Sequence, residues 1–90
     1  MKTMQLEDLR EKIDRVDTLL LKIIAKRQEI VKMIADIKKK ENLEIFQPER
    51  EKQLIVKRME LAADLDVDPK FVFNLFQKIL ENSRQIQEEI

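Results

Sequence analysis

Aliphatic side chains recur at alternating steps of three and four residues from Leu6 to Ile37 without a slip, and this run constrains the fold more than any other feature of the chain. The positions are Leu6, Leu9, Ile13, Val16, Leu20, Ile23, Arg27, Ile30, Ile34 and Ile37, all aliphatic except Arg27. That spacing is the seam of a helix packed lengthwise against a partner. A helix over about 5–40 spans ~52 Å at 1.5 Å per residue, whereas a compact globule of this size is on the order of 30 Å across. Two shorter helices of the same chain cannot cover so long a stripe. The seam therefore predicts a second copy of the helix, and a homodimer with paired long helices is the simplest closed arrangement.

Only two segments interrupt helical patterning. Residues 41–47 lie between Lys38-Lys39-Lys40, which suit a helix C-terminus, and Pro48, which suits the first turn of the next helix. The stretch Asp64-Leu65-Asp66-Val67-Asp68 precedes Pro69, with Asp68 placed as an N-cap. The expectation is an all-α fold of three helices, at about 5–40, 48–63 and 69–88, in one domain over 1–90 that forms an intertwined homodimeric helical bundle.

The 90 residues contain no Gly, Cys, His, Trp or Tyr, and 18 basic side chains balance 18 acidic ones. Without Gly there is no phosphate-cradling loop or dinucleotide fingerprint. Without Cys or His there is no disulfide framework, zinc finger or thiol–imidazole pair. No EF-hand spacing is present, so neither metal nor cofactor is expected. Zero net charge and the lack of aromatics suited to stacking argue against a nucleic-acid partner. Apolar runs are too short for a signal peptide or a membrane span, and the expected location is cytoplasmic.

Most charges read as solvated helix faces, as at Glu11, Lys12 and Arg15 or Lys52, Lys57 and Glu60. Arg27 departs from this, because a guanidinium in an aliphatic seam needs an anionic partner. That partner is either an acid of the neighbouring helix, with Arg27 setting dimer register, or a bound anion. Lys38 lies eleven residues on and returns to nearly the same face, so two cations bracket Val31 and Ile34 as a small dianion would require. Taken alone, Lys38 is also an ordinary helix C-terminal lysine. Glu49 and Glu51 suit the first turn of the second helix, whereas Arg50 in that turn opposes the helix dipole. On the third helix the stripe Val72, Phe76, Ile79, Leu80 continues to Ser83 and Gln87, which point either into a cavity or out into solvent. Arg10 and Arg27 are seventeen residues apart on one helix, ~25 Å. They can clasp one small ligand only if a partner chain supplies one of them.

These residues, in identity and order from Leu6 to Gln87, resemble the all-α class of chorismate mutases. The opening Leu9-Arg10-Glu11-Lys12-Ile13-Asp14 is similar to that family's first-helix signature. Arg27, Lys38, Pro48-Glu49-Arg50-Glu51, then Phe76 through Ser83, and Gln87 follow in register. The resemblance implies two equivalent active sites per dimer, each completed by Arg10 of the other subunit. It implies that Arg10, Arg27 and Lys38 bind the two carboxylates of chorismate, with Arg50 shaping the charged pocket and Ser83 hydrogen-bonding a carboxylate. Glu51 would accept from the ring hydroxyl, and Lys38 with Gln87 would donate to the ether oxygen. Gln47 stands where several relatives carry aspartate, so no role carries over to its side chain. Rearranging chorismate to prephenate needs no nucleophile, metal or general base, which suits a chain without reactive side chains. Two other readings remain: an isochorismate-pyruvate lyase of the same fold, which Glu51 and Ser83 fit less well, and a helical dimerisation module without a ligand. No segment is expected to form a regulatory domain, so control by an aromatic amino acid would have to come through a partner protein.

Overall fold

In a computed structural model, which describes residues 5–90, the chain forms three helices. They are α1 (Leu6–Lys40), α2 (Pro48–Asp64) and α3 (Pro69–Glu88), and no strand occurs among the described residues. The all-α reading holds. Residues 1–4 of the expected domain lie outside the described residues.

Local chemistry accounts for the ends of each helix. At the start of α1, Asp8 accepts from the backbone N–H of Gln5 at 3.1 Å, the reach-back half of a capping box. Pro48 opens α2, where Glu49 and Glu51 complement the helix dipole. Gln47 does not cap that helix; its amide donates instead to the Glu44 carbonyl at 3.1 Å. Asp68 caps α3 by accepting from the Lys70 N–H at 3.0 Å, with Pro69 in the first turn. The C-termini of α1 and α2 close in the same way without glycine. Asn42 and Asp66 adopt φ of 57° and 59°, so that Leu43 N–H reaches the Lys38 carbonyl at 2.8 Å and Val67 N–H reaches Ala62 at 2.8 Å. These are the six-residue bonds of a Schellman motif, and Asn and Asp tolerate the left-handed conformation better than other residues with a Cβ.

The chain divides into two compact units, and the division falls within α1, after Ile30. Among its described residues the N-terminal unit contains the first part of α1, with Leu6, Leu9, Ile13, Val16, Leu20 and Ile23 exposed. In the C-terminal unit, from Val31 onward, α2 and α3 pack together. Their pairing is antiparallel: Glu51 near the start of α2 meets Arg84 near the end of α3, and further along Arg58 lies over the Phe76 ring at 5.7 Å. Leu54 and Ala62 of α2 and Val72 and Leu80 of α3 are buried, as are Val31 and Ala35 of α1.

The buried face of α1 is not its aliphatic seam. Val31 and Ala35 are covered, with Lys38 half-buried on the same stripe, whereas Ile34 and Ile37 are 42% and 55% exposed. One step along a helix is a rotation of about 100°, so α1 carries two adjacent faces. One is used within the chain and the other, the seam, is bare. Among the described residues no large side chain is fully buried, which leaves the chain a thin core. No described helix is long and apolar enough to cross a membrane.

Candidate active site

The last turn of α1 carries Lys38 half-buried, and its ammonium is bound from two directions. Nζ donates to the Ile45 carbonyl at 2.8 Å, in the segment leading to α2, and to Gln87 Oε1 at 2.9 Å on α3. Burial pushes the Lys38 pKa below its ordinary 10.5, and the nearby Glu51 carboxylate opposes that shift. The ammonium has three N–H groups, and these two bonds use two of them.

Gln87 is oriented by the same contact. Its Oε1 faces Lys38, so Nε2 carries the donors, one of which goes to the Ser83 carbonyl at 3.2 Å one turn earlier. Ser83 is buried, and its hydroxyl donates to the Ile79 carbonyl at 2.8 Å. Lys38 and Gln87 border a cleft of about 270 Å³ whose wall includes Ala35, Leu43 and Ile45.

Glu51, in the first turn of α2, is held by Arg84 of α3 through Nη1 and Oε1. The Arg84 guanidinium in turn lies over the Phe46 ring, 5.1 Å from its centroid. Lys38, Glu51, Ser83 and Gln87 thus come together in the C-terminal unit. Arg50 does not join them; it lies exposed on α2. In the N-terminal unit, Arg27 is half-buried, and Arg10 is exposed and pairs with Glu7 at 3.0 Å.

The sequence reading missed Arg84, Phe46 and the Ile45 carbonyl. Arg84 sits one residue off the Ser83–Gln87 stripe and looks like a solvated position. A backbone carbonyl carries no signal of residue type at all.

What this arrangement can do is hold hydrogen-bond donors rigidly in a partly dry place, a geometry suited to an anionic or oxygen-rich ligand. Residues 9–88 match the family described as chorismate mutase type II. The chain is 33% identical over 85 residues to the chorismate mutase of Methanocaldococcus jannaschii, covering 94% of this chain and 86% of that protein. It is 34% identical over 79 residues to the T-protein of Enterobacter agglomerans, covering 88% of this chain and 21% of that one. It is 40% identical over 61 residues to the bifunctional chorismate mutase/prephenate dehydratase of Aquifex aeolicus, covering 68% and 17%. A match over nearly the whole chain, whose polar cluster is built from all three helices, shows that the chain belongs to the chorismate mutase type II family.

Proposed function

We propose that the chain is an isomerase that rearranges chorismate to prephenate as a homodimer. The observation that carries this reading is the Lys38–Gln87 pair, residues 49 apart in sequence on two helices, with Lys38 Nζ donating to Gln87 Oε1 at 2.9 Å. The reaction breaks a C–O bond and forms a C–C bond within one molecule, so the protein has to select the folded conformer and stabilise charge growing on the ether oxygen.

Each residue has a task in this reading. The third N–H of Lys38 and the second Nε2 proton of Gln87 are offered to the ether oxygen, while Lys38 keeps the Gln87 amide from turning its oxygen toward the substrate. Glu51 accepts from the ring hydroxyl. Arg27 receives a carboxylate, the Lys38 charge draws the dianion in without a further hydrogen bond, and Arg10 of the partner subunit adds a third cation. Ser83 reaches a carboxylate by rotating its hydroxyl from Ile79, and Arg50 contributes to the positive field at the entrance.

The dimer is supported by the bare seam. Leu6, Leu9, Ile13, Val16, Leu20, Ile23, Ile30, Ile34 and Ile37 are 42% to 66% exposed in the isolated chain. A continuous aliphatic stripe of this kind marks a contact surface. The test is to add chorismate to the purified chain and follow prephenate formation, with Lys38→Ala as the control and isochorismate as the competing substrate. Turnover of chorismate that disappears in Lys38→Ala is expected. Turnover of isochorismate alone, or of neither compound, overturns the reading.

A further inference from the structure

Arg84 has no task in the reaction as described, yet it is the most constrained cation of the C-terminal unit after Lys38. The ion pairs Arg10–Glu7, Lys26–Glu29, Lys52–Glu49 and Lys78–Glu81 each lie within one helix, with side chains 63% to 84% exposed. Arg84–Glu51 joins two helices, and its side chains are only 29% and 20% exposed. Exposed pairs within a helix contribute little, whereas a sheltered pair is screened less. Arg84 also lies over Phe46, the residue next to Ile45, whose carbonyl receives Lys38. The segment entering α2 is therefore gripped at adjacent residues by a cation from α1 and a cation from α3.

The Arg84 contact engages one oxygen of Glu51, Oε1. We infer that Arg84 is a positioning residue for Glu51: braced on Phe46, it holds the carboxylate by Oε1, turns Oε2 toward the ring hydroxyl of the substrate, and offsets a negative charge that would otherwise repel the dianion. This assignment rests on the mutase reading. Arg84 itself does not touch the substrate and acts through Glu51.

Both effects operate on bound substrate before and during the rearrangement, so their loss falls on KM rather than kcat. A planar guanidinium both stacks on a ring and meets a carboxylate, and an ammonium keeps only the charge. The test is a double-mutant cycle on the full chain, with steady-state kinetics on chorismate after circular dichroism and thermal unfolding have established that each variant folds. Arg84→Met should raise KM roughly ten- to a hundredfold, the scale of one charge-assisted hydrogen bond, with kcat within about threefold. The same substitution in a Glu51→Gln background should change KM by less than about threefold, because the residue it acts through is already altered. Arg84→Lys should fall between the wild type and Arg84→Met. An unchanged KM in Arg84→Met, or a rise of equal size in both backgrounds, overturns the assignment. If Arg84→Met does not fold, the same cycle with Arg84→Lys decides by the same criteria. A wild-type chain that does not turn over chorismate overturns the mutase reading and this assignment with it. An active wild type with additive losses overturns the assignment alone.

Discussion

Raising the pH through the range just below 10.5 should move the stability and the activity of this chain in opposite directions, because both depend on the proton of Lys38. Burial lowers the Lys38 pKa from 10.5, with the Glu51 carboxylate opposing the shift. Below the lowered value, folded and unfolded chains both carry the proton and the fold bears the full desolvation penalty. Between the lowered value and 10.5 only the unfolded chain stays protonated, so the unfolded state binds more protons and stability rises with pH through that window. Above 10.5 the penalty is gone. The proposed mechanism needs the cation, so kcat/KM should fall through the same window.

The composition makes this limb readable. With no His, Cys or Tyr in the chain, no side chain has an ordinary pKa between those of the carboxylates and those of the lysines. Gln87 donates at any pH, and turnover from pH 6 to 8 should be nearly flat. Substituting Lys38→Met removes two charge-assisted bonds, up to about 1.5–3 kcal/mol each, and with them the partial desolvation penalty of a half-buried ammonium. The two terms oppose one another, so the unfolding free energy at pH 7 should change by no more than about 2 kcal/mol. The rate should drop at least a hundredfold, the scale of one lost transition-state donor. Lys38→Arg keeps its charge throughout and should lose both the alkaline limb and the rise in stability. The assay is prephenate formation and chemical unfolding across pH 6–10.5 for the wild type and both variants. A limb that persists in Lys38→Arg, or wild-type stability that falls through the window while activity holds, would refute the reasoning.

Three further outcomes follow from the proposed dimer and the helix ends. Arg10→Ala and Lys38→Ala chains, each inactive alone, should regain up to about a quarter of wild-type turnover when unfolded together and refolded as a mixture, since a mixed dimer has one intact site in two; no recovery would mean that Arg10 serves its own chain. Leu20→Glu places a charge in the bare seam and should shift the sedimentation of the chain from dimer to monomer and abolish turnover with it. Asp66→Gly relieves a left-handed residue with a Cβ and should raise the unfolding free energy by up to about 1 kcal/mol without changing kcat, which denaturant titration beside the kinetics will show.

The fold and the site were legible in the sequence to different depths, for a physical reason. Helix ends are local: Pro48, Pro69, Asp68 and the lysines at the end of α1 act within one turn of the boundaries they set, so a linear reading finds them. A seam is also local in one sense, since its period follows from 3.6 residues per turn. Periodicity reports that a stripe is apolar and says nothing of what faces it. The stripe that the chain itself covers, Val31, Ala35 and Lys38, is shorter and more mixed than the aliphatic one, and only packing distinguishes them. Arg84 shows the limit most sharply. Its partners, Glu51 and Phe46, are 33 and 38 residues earlier and belong to α2 and the segment before it, so nothing in its own neighbourhood sets it apart from the exposed Arg50 or Lys78. Reading residue types along the chain singles out groups whose chemistry is distinctive for their position. It passes over groups that act on other side chains, because any cation on a helix surface looks the same until a second helix is placed against it.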